Sequence, residues 1–389
     1  MKKIVFLLLG CMALQGYSQS RQLSDQATIS VITCAPWQGE LYSAFGHSAF
    51  RVYDPALGLD DAYNYGIFDF DQPNFYLNFA RGYMYYQLGA YPYERFKLPY
   101  IYHNRYIHEQ VLNLTPAQKQ KVFDYLEWNT LPENEHYRYD YFYDNCATKM
   151  PGVLIKALGD SIAFDDKHIT THYSIRELTD LYLHQQPWGD LGIDVCLGSE
   201  IDREAPPFDY MFLPEYVEQG LDHATIKHGN TWAPLVKKKN IVFAPREEDP
   251  LKGLPHPLYV FSALALVAII LSVVDLKRKK LSTWWDVLLF GAVGLIGVLL
   301  FLLWFATDHK SSYNYNLLWA LPSHIVAVIA LIRQPRWLAT YFLVTAVILV
   351  VTLVSWPVLP QKLNTSLIPI IIALTVRSFT QYRIRKATP

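Results

Sequence analysis

From about Pro255 to its end the chain is dense in leucine, isoleucine and valine, and apolar segments follow one another with basic clusters between them. This feature constrains the fold most, because about twenty apolar residues in a row match the roughly 30 Å hydrocarbon core of a bilayer. The segments run over Leu258–Val274, Trp284–Phe305, Asn316–Ile332, Trp337–Trp356 and Leu367–Thr375, the last being short and holding Pro369. Lys277-Arg278-Lys279-Lys280 separates the first two, and Arg333 and Arg336 separate the third and fourth. Arg377, Arg383, Arg385 and Lys386 follow the fifth. With five spans and the preceding chain outside, all three clusters fall on the cytoplasmic side, as the charge bias of loops requires. Trp284, Trp285, Trp304, Trp319, Trp337 and Trp356 lie near span ends, where an aromatic belt belongs.

The start of the chain demands the same orientation. Lys2 and Lys3, the apolar run Ile4–Leu14 and the small residues around Gly16-Tyr17-Ser18 read as a secretory signal cleaved before Gln19. Leu8-Leu9-Gly10-Cys11 offers a rival reading as a lipidation site, and either way the chain that follows is exported. The expected organisation is a signal peptide over 1–18, a periplasmic domain over 19–254 and a transmembrane domain over 255–389. A net charge of -1 argues against nucleic acid as a partner. Ordinary cleavage leaves Cys34, Cys146 and Cys196, an odd number, so at least one thiol is free. Most lone cysteines are small buried hydrophobes; the sharper alternative joins Cys34 to Cys196 and leaves Cys146 reactive.

Within the exported part, alternating stretches predict strands over Ala27–Cys34, Ala49–Tyr53, Ala62–Phe68 and Ile107–Leu114. Thr115-Pro116-Ala117-Gln118 opens a helix to about Asn129, with a capping box and proline at the first helical position. Val122, Phe123 and Leu126 lie on its apolar face. A second helix should begin at Asn145 or Cys146. Residues from Trp188 to Arg246 show no period that assigns elements.

Two stretches carry chemistry. Phe45-Gly46-His47-Ser48 puts a histidine at the start of a strand, and Asp144-Asn145-Cys146-Ala147 puts a cysteine at the start of a helix. A helix N-terminus favours a thiolate through its dipole and unpaired N–H groups. The same N–H groups can stabilise an oxyanion at a substrate carbonyl, and an imidazole can take the thiol proton. Alone, either residue is more often structural. The two together, in an exported chain with an unpaired cysteine, favour a catalytic pair. No histidine spacing suggests a metal ligand set, no cofactor is implied, and no glycine-rich phosphate loop occurs.

The order of histidine strand, next strand and Asn-Cys helix resembles the circularly permuted branch of the papain-like NlpC/P60 superfamily, and lecithin:retinol acyltransferase shows a similar order. The whole chain more closely resembles the Bacteroidetes lipoprotein N-acyltransferase family, over Ser43–Tyr53, Tyr63–Phe68, Asn104-Arg105, Leu112–Thr115, Tyr137–Thr148 and Asp308–Pro322. That resemblance implies an α+β exported domain of permuted NlpC/P60 type followed by an all-α bundle of about five transmembrane helices. It implies an inner-membrane enzyme with its catalytic domain in the periplasm. Cys146 would take an acyl chain from a phospholipid donor as a thioester and pass it to the amine of a diacylated lipoprotein, with His47 as base. In the permuted branch the group that holds the imidazole comes from the next strand, here Asn64 or Tyr65, and Asn64 is preferred. Tyr102, His103 and His108 are rivals that read as surface residues. Asn145, Tyr65 and His309 are candidates for substrate binding. The polar loop Thr307–Asn316 is either a solvated turn or, through Asp308, His309, Asn314 or Asn316, a holder of a headgroup.

One departure stands out: Lys149-Met150-Pro151 follows the cysteine, and Pro151 cannot donate to Ala147. The helix should kink there or keep a separate first turn, and the usual partner behind the cysteine is in doubt. A peptidoglycan-cleaving cysteine peptidase would use the same pair but needs no five-span anchor. A phospholipid hydrolase would share the first half-reaction, and a non-enzymatic membrane scaffold would tolerate loss of Cys146.

Overall fold

The computed structural model describes residues 21–68, 72–248 and 253–387. The expected signal peptide and Cys11 lie outside the described residues. The alternating stretches form strands as their period predicts: β1 (Thr28–Cys34), β2 (His47–Asp54), β3 (Leu59–Phe68) and β5 (Ile107–Leu112). With β4 (Tyr85–Pro92), β6 (His136–Arg138) and β10 (Val236–Phe243) they make one seven-stranded sheet in the order β10-β5-β1-β2-β3-β4-β6. Its pairings are antiparallel. β7 (Ile162–Ala163), β8 (Thr225–His228) and β9 (Thr231–Pro234) form a second, small sheet.

Each face of the main sheet is covered. Ile29, Val31, Phe50, Val52, Tyr63 and Tyr65 pack under the helices Pro116–Asn129 and Cys146–Leu158. The alternate residues Ile32, Cys34, Ala49 and Ala62 pack against Tyr93, Phe96 and Tyr100 of the helix Tyr93–Tyr102. In chain order the helices of this part are α1 (Phe75–Arg81), α2 (Tyr93–Tyr102), α3 (Pro116–Asn129), α4 (Cys146–Leu158), α5 (Ile175–Leu183), α6 (Pro187–Cys196) and α7 (Pro214–His223). α3 starts with the expected capping box and buries Val122, Phe123 and Leu126. The stretch Trp188–Arg246, unassigned by its sequence, supplies most of α6, all of α7 and β8–β10; β8 and β9 have four residues each, and β10 carries register shifts near both ends that break its alternation.

Two expectations need correcting. α4 runs from Cys146 to Leu158 as one helix with a buried Pro151 inside it, so of the two alternatives the separate first turn does not form. Cys34, Cys146 and Cys196 are all free. Cys34 is fixed in a central strand opposite His47 and Ile107, and Cys196 ends α6, so no Cys34–Cys196 bridge forms.

The C-terminal part is helical: α8 (Pro257–Arg278), α9 (Thr283–Ala306), α10 (His324–Arg333), α11 (Trp337–Ser355) and α12 (Ile368–Ala387). Among the described residues three helices are long and apolar enough to cross a membrane: Pro257–Arg278, Thr283–Ala306 and Trp337–Val358. The third expected segment, Asn316–Ile332, does not form a full-length helix. Pro322 interrupts it, a short turn covers Tyr315–Leu318, and α10 has ten residues, about 15 Å at 1.5 Å per residue. α12 has twenty residues, and its Arg377 is not a solvated flanking charge. It is fully buried, bonded to Asp286 at 2.7 Å and Asp275 at 3.0 Å, so it ties α12 to α9 and α8.

The outer loop fastens the two parts together instead of lying free in solvent. Asn316 Nδ2 donates to the Asp194 carbonyl at 3.0 Å, and Asn314 Nδ2 to the Val195 carbonyl at 2.8 Å. Gln361 Nε2 donates to the Leu197 carbonyl at 2.8 Å. Beneath these contacts Arg176, fully buried, holds Asp194 at 2.7 Å and Asp202 at 2.8 Å.

Candidate active site

β2 and β3 pair from Asp54↔Leu59 up to Phe50↔Tyr63 and then part. β3 bulges between Asn64 and Ile67, where Gly66 takes a φ of +88° that a side chain would resist. The N-terminus of α4 enters this gap. A Cβ on Gly66 would lie 3.6 Å from the Cys146 Cβ, and the Ser48 N–H points at the Cys146 sulfur. The fork in the sheet thus brings Cys146 to His47 and Asn64, which lie on neighbouring strands.

The three side chains form a relay. His47 Nε2 donates to Asn64 Oδ1 at 2.5 Å, and Asn64 Nδ2 donates to the Tyr91 hydroxyl at 2.7 Å. Tyr91 therefore fixes which way the amide faces, and the amide fixes the ring. The other ring nitrogen is left for the Cys146 thiol, with whose charge the His47 ring interacts. Tyr100 stacks on the imidazole at 6.2 Å between centroids. Burial pulls His47 toward its neutral form, but the Cys146 thiolate and then Asn64 outweigh it and hold the imidazole above its ordinary pKa. Burial likewise pushes the thiol up; His47, with the Ser48 and Ala147 N–H groups, more than offsets this and brings Cys146 below its ordinary value. The pairing thus draws the thiol toward thiolate and the imidazole toward imidazolium, and both residues stay partly exposed.

The start of α4 is prepared for an oxyanion. Asn145 Oδ1 accepts from the Ala147 and Thr148 N–H groups at 2.8 and 2.9 Å, and Lys149 N–H reaches the Asn145 carbonyl at 3.1 Å. Of the first-turn donors, the Cys146 N–H is the one left over. Tyr137 brings its buried hydroxyl to the same gap, against Gly66. A Cβ on Gly66 would sit 4.0 Å from that oxygen. Lys149 bonds Asp144 at 2.7 Å and lies 3.9 Å from the Tyr137 ring centre.

The other expected residues fall elsewhere. Asn145 is buried, and its amide also donates to the Tyr141 and Phe212 carbonyls at 2.8 and 2.9 Å; its polar atoms are engaged within the protein. Tyr65 points to the opposite face of β3 from Asn64 and donates to Asn129 at 2.8 Å in the core. His108 faces Glu218, His103 packs against Trp37 at 3.8 Å between ring centres, and Tyr102 is exposed. His309 lines a cleft of about 470 Å³ between the loop leading into Cys146 and the loop leaving α9, together with Met84, Arg138, Tyr139, Tyr141 and Lys310. Arg138 pairs there with Asp308 at 2.6 Å, and Lys310 with Asp140 at 3.3 Å. Sequence reasoning missed Tyr91 and Tyr137. The tyrosines at every second position from Tyr137 to Tyr143 were a usable signal, since a strand entering that stretch sets them on one face.

One group among the described residues brings acidic ligand atoms within 4.8 Å of one another, namely Asp180, Asp190 and Asp194 at the joint. Arg176, Lys362 and Asn364 already answer these carboxylates, so the joint explains the cluster without an ion.

A thiol–imidazole pair on an exported sheet domain, fastened to apolar helices, is the arrangement of a membrane-associated periplasmic enzyme. The family model for the Lnb N-terminal periplasmic domain matches residues 16–180, and that for the Lnb transmembrane domain matches residues 249–388. The chain belongs to the Lnb family, with both its exported and its membrane parts. Comparison with curated proteins and with solved structures found no match.

Proposed function

We propose that this chain is a lipoprotein N-acyltransferase of the inner membrane. The observation that carries the reading is the Cys146–His47–Asn64 relay, in a domain that also forms a cleft at the exit of a membrane helix. The order of His strand, Asn strand and Cys helix supports the permuted papain-like reading of the fold. The basic clusters support a bundle of five helices with their charged turns toward the cytoplasm, α10 entering as a half-length helix.

The Cys146 thiolate attacks the ester carbonyl carbon of a phospholipid whose headgroup occupies the cleft. The tetrahedral oxyanion is held by the Cys146 N–H and the Tyr137 hydroxyl. The C–O bond breaks, His47 gives its proton to the departing lysophospholipid oxygen, and Cys146 keeps the acyl group as a thioester. The α-amine of a diacylglyceryl-cysteine then attacks the thioester carbonyl. His47 takes the amine proton, the C–S bond breaks and the thiolate is restored. Fastening the site at the membrane raises the effective concentration of two lipid substrates.

The test uses purified protein in vesicles, a phospholipid with labelled acyl chains and a synthetic diacylglyceryl lipopeptide with a free amine. Mass spectrometry should find the acylated peptide with wild type and none with Cys146→Ala. Free fatty acid with an unmodified peptide would replace the transferase reading by a hydrolase.

A further inference from the structure

Helix α1 buries none of its residues. Tyr76, Leu77 and Phe79 are 84%, 57% and 44% exposed. Seven residues are too few to hold a helix in water unaided, and three bare apolar side chains side by side are a costly thing to show to solvent. Phe75 packs edge-on against Phe68 at the start of the helix, and the outer loop of the membrane part holds its other end. Asp308 N–H donates to the Arg81 carbonyl at 2.8 Å, and His309 Nε2 to the Phe79 carbonyl at 3.2 Å. Gly82 ends the helix at a φ of +80°, and a Cβ there would come within 2.8 Å of the His309 nitrogen. Bare backbone is therefore needed for α1 to lie against the loop.

That attachment sets the height of α1. Asp308 is two residues beyond Ala306, the end of α9, so at most about 7 Å of chain separates them. The same end of α9 shows Phe301 and Phe305 to the outside, and Tyr313 is exposed in the loop, as at a water–lipid boundary. The composition of α1 fits this boundary: Phe-Tyr-Leu-Asn-Phe-Ala-Arg has no acidic residue, and its one charge, Arg81, sits in the last turn where it can reach lipid phosphates.

We propose that α1 is an interfacial helix whose Tyr76, Leu77 and Phe79 enter the outer leaflet of the membrane that holds the bundle. It follows β3, the strand of Asn64 and Gly66, and precedes Met84 at the cleft. Lipid gathered by α1 therefore stands beside that cleft, where the acyl-transfer reading puts the donor headgroup. The membrane contact rests on the placement of α9; only this last point rests on the acyl-transfer reading.

The experiment puts the full chain in phosphatidylcholine nanodiscs carrying a phospholipid with a diazirine near its glycerol end. After irradiation, mass spectrometry maps the labelled peptides. Label is expected on the Pro73–Arg81 peptide in wild type and in Cys146→Ala alike. In a combined Tyr76→Ser, Leu77→Ser, Phe79→Ser variant it should fall about tenfold, as lost apolar burial implies, with α8 and α9 labelled as before. Label confined to the membrane helices of wild type would overturn the proposal. Labelling needs no turnover, so a protein that labels here yet transfers no acyl group counts against the enzyme reading and leaves the interfacial helix standing.

Discussion

At the residue scale, the site makes separable demands on His47, Asn64 and Tyr137. His47 keeps the thiol below its ordinary pKa against the pull of burial. Alkylation of Cys146 by iodoacetamide should therefore begin below pH of about 8.5, the ordinary thiol value. The rate follows the thiolate, so a lowered pKa moves its rise to lower pH; in His47→Gln burial is less opposed and the rise should move up. An onset that stays put would separate His47 from the thiol. Asn64→Ala frees the ring to turn and should lower acyl transfer about 10²-fold, while Tyr91→Phe, one bond further out, should cost less. Tyr137→Phe should lower kcat by about 10²- to 10³-fold, as for a lost oxyanion donor, without moving the pH onset of alkylation. If both change together, Tyr137 acts on the thiol and not on the oxyanion.

At the scale of elements, the start of α4 depends on Asn145, which caps the helix and ties it to the Tyr141 and Phe212 carbonyls. Asn145→Ala removes the cap, worth about 1–2 kcal/mol, and leaves two carbonyls without this donor. The thermal midpoint in detergent should fall, and activity should fall further because the Cys146 N–H loses its setting. A variant with full activity and a lowered midpoint would show that the cap serves stability alone. The place of Asn145 before the cysteine made it a candidate for substrate binding, and tertiary contacts give both ends of its amide partners within the protein.

At the scale of the whole molecule, the joint decides how the exported part stands on the membrane. Arg176 is enclosed with Asp194 and Asp202, and removing one partner of a buried ion group typically costs about 3–5 kcal/mol. Arg176→Ala should lower the thermal midpoint more than any exposed substitution, and loss of the contacts of Asn316 and Gln361 should let protease into the loop after α6. Intact resistance would show that the joint does not depend on this group. Asp190, in contact with Asn364, has its pKa pushed up to about 7 by burial and then by Asp194 and Asp180. A carboxyl whose folded pKa lies above its unfolded one weakens the fold as pH rises between the two. The wild-type midpoint should thus decline from about pH 4 toward about 7, a decline that Asp190→Asn should flatten; an equal slope in both proteins would remove Asp190 as its source.

The sequence by itself determined the elements whose cause is local. Period two marked β1, β2, β3 and β5, the capping box marked α3, the Asx-Cys start marked α4, and apolar length marked the membrane helices α8, α9 and α11. The pairing of Cys146 with His47 was legible because each sat where backbone geometry already favours its chemistry. Tertiary structure alone decided what depends on contacts far apart in the chain. It parted β2 from β3 to admit the cysteine, and it turned Asn64 to the ring while sending Tyr65 into the core. It gave Tyr91 and Tyr137 their places, left Cys34 and Cys196 unjoined, and buried Arg377. Neighbours in sequence set a period or a cap through a few bonds of the same chain. Which side chains meet across a sheet, a fork or a membrane boundary depends on how the pieces pack.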